Sequence, residues 1–231
     1  MTTTIAELRR QLAEADCERA AELCRALVDA GASLDQQELG RVRRCIDEDR
    51  DGARKRVLTR CYLALLGADR AGDQAGELLH HDSSHVREAT FEALVGYGER
   101  ALPVLEELSR DEHRETRWYA YEAASRAESE RAVPMLLAGL KDADFSIRWV
   151  ASNGLILIGT PAVMQVMTAL ADDKATPDFH AAVRRVLSRV SAAPPLDAEL
   201  ERLVESLSRE TSIYQSPVLA RDILHRLYGR Q

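Results

Sequence analysis

Lysine is nearly missing from this chain: three lysines stand against 28 arginines in 231 residues, a bias expected of a GC-rich, bacterial genome. Aromatic residues make up only 5% of the sequence, with two tryptophans among them. The four cysteines, Cys17, Cys24, Cys45 and Cys61, all fall in the first third and include no CxxC pair. That usage argues against a disulfide framework or zinc site and predicts a reduced, cytoplasmic protein. Long apolar runs are lacking too. The opening "MTTTIAELRRQLAEADCERA" is periodic rather than continuously hydrophobic, so neither a signal peptide nor a membrane-spanning helix is expected. There is no GxSxG, no phosphate-binding loop and no GxGxxG, and no Cys or Ser has a histidine partner implied by its position. No catalytic residue, cofactor or metal is therefore assigned.

Net charge is −7, distributed as about 0 over residues 1–60, about −6 over 61–190 and about −1 beyond. Nucleic-acid affinity rests largely on lysine and arginine displacing counterions from phosphate, so this balance disfavours such a ligand. The stretch from Arg41 to Arg60 is the local exception, with eight basic side chains against four acids. Two solvated helix faces joined by an acidic turn account for it better than a phosphate-binding patch.

What the chain does have is internal repetition. "ERALPVLEELSRDEHRETRWYAYEAASRA" from Glu99 aligns with "ERAVPMLLAGLKDADFSIRWVASNGLILIG" from Glu130, and more loosely with the segment from Gly159 to Val190. Ala101, Ala132 and Ala162 begin the first helix of each unit, and Pro103 and Pro134 sit where a missing N–H costs nothing. Leu102, Leu105 and Leu108, then Val133, Leu136, Leu137 and Leu140, recur at helical spacing. Ile147, Val150, Ala151, Leu155 and Ile158 do so in a second helix. Asp111 and Asp142 fall in the turns, where a carboxylate can accept the orphan N–H groups of the following helix. Capping-box spacing at Thr4 to Glu7 and Ser33 to Gln36, and a helix-terminating Gly31, extend the helical rhythm toward the N-terminus. Neither helix of a pair buries its apolar stripe alone, so pairs must stack. The expected fold is an all-α, right-handed solenoid of about seven antiparallel helix pairs. Its parts are divergent pairs over 1–74, clear repeats over 75–190 and capping helices over 191–231.

The order Ala, Pro, Leu-x-x-Leu, Asp, a short gap, Arg and an Ala-rich helix ending in Ile-Gly, best copied at Ala132 to Gly159, resembles the short HEAT-like repeat of the phycobilisome-lyase type. The resemblance covers about residues 75–190. It implies that Asp82, Asp111 and Asp142 and Arg87, Arg117 and Arg148 form a structural ladder tying successive repeats together. It also implies that the second helices line a concave face. The dinuclear-iron branch of such proteins needs His-Glu dipeptides, and this sequence has none.

Once the ladder and the core are assigned, two columns remain on the second helices. One runs through Glu88, Trp118, Trp149 and Arg185, and the other, one turn later, through Glu92, Glu122, Asn153 and Arg189. Trp118, Trp149 and the adjoining Tyr121 and Phe91 would then form an aromatic patch in the groove, acidic at one end and basic at the other through Arg184, Arg185 and Arg189. Two readings stand: the tryptophans bind a partner, or they pack together and stiffen the stack. The first is preferred. "HHDSSH", His80 to His85, has the composition of a metal site, but a turn holding solvated histidines is the simpler account. The expected function is a non-catalytic module or scaffold holding another protein or peptide. A bilin-lyase-like and a DNA-alkylation-glycosylase-like role are alternatives that rest on family analogy.

Overall fold

Short polar turns separate apolar stripes throughout the chain, and each stripe forms a helix. The computed structural model describes residues 4–172, 176–191, 196–209 and 212–228. Fourteen α-helices and no strands lie among these described residues. None of the helices is long and apolar enough to cross a membrane. Contacts divide the chain into two compact units, Met1–Val104 and Leu105–Gln231.

In the first unit α1 (Ile5–Glu14), α3 (Gln36–Glu48) and α5 (Ala71–Leu79) each pack on the helix that follows: α2 (Cys17–Asp29), α4 (Gly52–Leu66) and α6 (Ser84–Tyr97). The second members also pack on one another, α2 on α4 and α4 on α6. Leu12, Leu23, Leu27, Ile46, Leu58 and Leu63 are fully or almost fully buried at these junctions. Gly31 ends α2 at φ 63°, and the next N–H, that of Ala32, reaches back to the Leu27 carbonyl at 2.9 Å. This is the reversal that only a residue without Cβ adopts without strain.

The cap of α3 differs from expectation. Asp35, not Ser33, is the N-cap: its carboxylate accepts the Glu38 N–H at 2.9 Å while Glu38 accepts the Asp35 N–H at 2.8 Å. An ionised acceptor at the positive end of a helix outcompetes a neutral hydroxyl two residues earlier. All four cysteines are free thiols, with the sulfurs of Cys17 and Cys45 2.7 Å apart. Burial pushes the Cys24 thiol up to about 12.

The boundary between the units falls within α7 (Leu102–Leu108). The second unit repeats the plan with α8 (Arg114–Arg126), α9 (Val133–Gly139), α10 (Phe145–Ile158), α11 (Thr160–Asp172) and α12 (Pro177–Leu187). It closes with α13 (Leu196–Leu207) and α14 (Ser212–Tyr228). Helices α8, α10 and α12 pack in sequence, and α9, α11 and α14 form a second row. Ala101 and Ala132 end short 3-10 turns that lead into α7 and α9 rather than starting those helices.

Of the expected ladder, Arg117 and Asp142 form one rung between successive turns. Arg117 Nε and Nη2 grip both oxygens of Asp142 at 2.9 and 3.3 Å, and Nη1 donates to the carbonyls of Asp111 and Glu112 at 3.0 Å each. Arg148 repeats the carbonyl grip on Asp142 and Ala143, and its ion pair goes to Asp178 at 3.2 Å. Arg87 likewise holds the carbonyls of His81 and Asp82. Counting back six residues from each arginine therefore gives His81, Asp111 and Asp142.

In all three turns the side chain at that position accepts the N–H two residues on: His81 Nδ1 from Ser83, Asp111 from His113, and Asp142 from Asp144. Asp82 was expected in this role, but it lies one residue out of register and its side chain is exposed. These acids brace the turn and do not cap the helix, because α10 begins beyond them and is capped by Asp144. His81 is correspondingly half-buried, not a solvated loop histidine.

Candidate functional site

Helix α10 starts with Phe145, and the first two turns carry Phe145, Arg148 and Trp149 on neighbouring positions. Phe145 is 66% exposed and Trp149 43%, and their ring centroids lie 5.9 Å apart. Together they form an exposed aromatic patch. Across from them α12 presents Arg184 and Arg185 in its last turn, followed by Arg189. Val204 and Ser208 complete the far side, and together these residues line a cleft of about 500 Å³.

The wall of this cleft is organised around Arg185. Its guanidinium carbon lies 3.2 Å from the Trp149 ring centroid, and Nη2 donates to Asn153 Oδ1 at 2.6 Å. A planar cation on an indole face gains about 1–2 kcal/mol when partly desolvated, and Asn153 fixes the orientation from one turn further along α10. Burial, followed by the nearby positive charge of Arg189, pulls the Arg185 pKa below its ordinary value. Arg148 is already neutralised by Asp178. Arg184 makes only a long contact to Ser208 Oγ at 3.5 Å, and among the described residues Arg184, Arg185 and Arg189 have no carboxylate partner.

Of the positions expected to form a partner-binding face, the cleft brings together Trp149 and Arg185, with Asn153 behind them. Trp118 is half-buried, stands edge-on to Tyr119 with centroids 5.4 Å apart, and does not line the cleft. Glu122 is paired along its own helix with Arg126 at 2.8 Å. In the first unit Glu88 and Glu92 share one cation, Arg56, which offsets half of their negative charge.

Tyr121 is a plain correction: it is 4% exposed and belongs to the core. The reason is Gly139 in α9, where a Cβ would come within 2.7 Å of the Tyr121 ring, so the missing side chain makes the space that the ring fills. Phe145 was not singled out from the sequence. Its signal is an aromatic at the first position of a second helix, where the aligned residue of the preceding repeat is Arg114.

Residues 103–188 match the family model described as HEAT repeats. No curated protein matches the chain. Among solved structures, an engineered protein is similar at 18% identity and a TM-score of 0.39, over 97% of this chain and 100% of that one. Helices packed in neighbouring pairs, the arginine-to-turn contacts repeated at fixed spacing, and the family match together identify residues 103–188 as HEAT-like repeats.

Proposed function

We propose that this protein is a non-catalytic interaction module and that its partner, a protein or peptide, docks on the α10–α12 face of the second unit. The observation that carries this reading is the Arg185 guanidinium held on Trp149 by Asn153 beside the exposed Phe145. Large aromatics flanked by arginine are the side chains that most often dominate binding energy at protein interfaces. Stacked repeats offer extended faces for such contacts. From the expected set we retain Trp149, Asn153 and Arg185, and add Phe145, as the binding residues.

Replacing Phe145 and Trp149 with alanine and repeating affinity capture tests the reading. Both side chains are partly exposed, and circular dichroism verifies that the variant keeps its fold. Loss of the captured partners from the variant is expected; an unaltered set of partners would remove the assignment of this face.

A further inference from the structure

Three arginines without carboxylate partners among the described residues, on one short segment of a chain of net charge −7, are a local reversal of sign. The helix C-terminus favours some positive charge in its last turn, which accounts for Arg184 and Arg185 being tolerated there. It does not account for Arg189 beyond the helix, nor for Arg185 being half-buried beside it and turned onto an aromatic ring. The Arg185 Nε is buried and has no hydrogen-bond partner among the described residues. An anion seated in the cleft would relieve the repulsion between Arg185 and Arg189, and it would meet the rings of Phe145 and Trp149 beside Arg148 and Asp178, which are paired with each other.

Resting on the interaction reading above, we infer that the cleft bounded by Phe145, Trp149, Arg184, Arg185 and Arg189 takes an acidic peptide segment of a partner protein, in which carboxylate side chains alternate with apolar ones. The carboxylates meet the arginines of α12 and its C-terminal extension, and the apolar residues lie on Phe145 and Trp149. Two features favour a peptide over other anions. A lone inorganic anion has no use for the exposed aromatic wall. A nucleic-acid strand needs a run of basic contacts along its backbone. Here Arg184, Arg185 and Arg189 all lie within six residues of the chain.

The test uses the full chain carrying Trp118→Phe, which leaves Trp149 as the sole tryptophan and therefore as the reporter of the cleft. Its emission is followed on titration with a short capped peptide in which aspartate alternates with leucine, with the same peptide carrying asparagine for aspartate, and with a short oligothymidylate. A saturable change with the aspartate peptide is expected. It should weaken roughly tenfold or more with the asparagine peptide, and again in Arg184→Gln/Arg189→Gln, because charge-assisted hydrogen bonds are lost.

Both arginines are exposed, so this variant keeps its fold, which circular dichroism verifies. Equal response to the two peptides, no response to either, or a response to the oligothymidylate alone overturns the inference. Partners captured by the native chain separate this failure from that of the parent reading. If they are lost in Phe145→Ala/Trp149→Ala but kept in the arginine variant, the interaction face stands and the acidic class of partner falls.

Discussion

The guanidinium of Arg185 lies 3.2 Å from the centroid of the Trp149 ring, two helices of neighbouring repeats meeting through a cation and an indole face. Asn153 holds the arginine there at 2.6 Å. Lysine in place of Arg185 keeps the charge but loses the planar stack and its fixed donor geometry. Arg185→Lys is therefore expected to lower stability by about 1 kcal/mol and to change the emission of Trp149. Urea unfolding followed by circular dichroism, with fluorescence as the second readout, checks both.

Arg117 satisfies two turns at once, through two carbonyls of its own turn and both oxygens of Asp142 in the next. Its side chain is 19% exposed and that of Asp142 10%, so little water replaces these bonds. Arg117→Ala should cost about 2–3 kcal/mol. Arg117→Lys should recover less than half of that loss, since an ammonium cannot span both partners. Denaturant midpoints of the three proteins give the comparison.

Gly154 sits inside α10, where alanine would ordinarily stabilise the helix by up to about 1 kcal/mol. A Cβ there would stand 2.9 Å from Leu136 Cδ1 and 3.0 Å from the Ser125 Cα, and the backbone of α8 cannot step aside cheaply. Gly154→Ala is expected to destabilise by about 1–3 kcal/mol. A midpoint equal to or above that of the native chain would show that α8 and α10 are not in this close contact.

His81 takes the place that aspartate holds in the later turns, and its Nδ1 must be unprotonated to accept the Ser83 N–H. Burial, and then the charge of Lys55, holds its pKa below the ordinary histidine value. The unfolded chain therefore takes up the proton first. The contribution of this turn is complete above the unfolded value of about 6.5 and is lost as pH falls through the lower folded value. His81→Asn, which accepts the same bond without titrating, should flatten that part of the pH profile of stability. Unfolding midpoints measured from neutral to mildly acidic pH decide it.

Much of this architecture is legible from residue spacing. Core leucines, turn acids and ladder arginines recur because every repeat solves the same packing problem, so Leu105, Leu136, Arg117 and Arg148 stand where the alignment puts them. Trp149 and Arg185 share one column and Asn153 stands in the next, and their contact forms because equivalent positions on stacked helices are neighbours. Asp82 lies outside the ladder because the carbonyl grip requires a six-residue interval to the arginine, and from Arg87 that interval ends on His81. Tyr121 was misplaced because the space it fills is made by Gly139 on a different helix.

The sequence by itself determined the helices, their pairing and the repeated arginine contacts, since these depend on periodicity and on short intervals along one chain. Only the tertiary structure decided which charges remain unpaired. Glu88 and Glu92 look as available in the sequence as Arg184 and Arg189, yet among the described residues the first two meet Arg56 of another helix and the last two meet no carboxylate. Whether a charge is neutralised depends on which side chain another helix brings within a few ångströms, and no spacing along the chain encodes that distance.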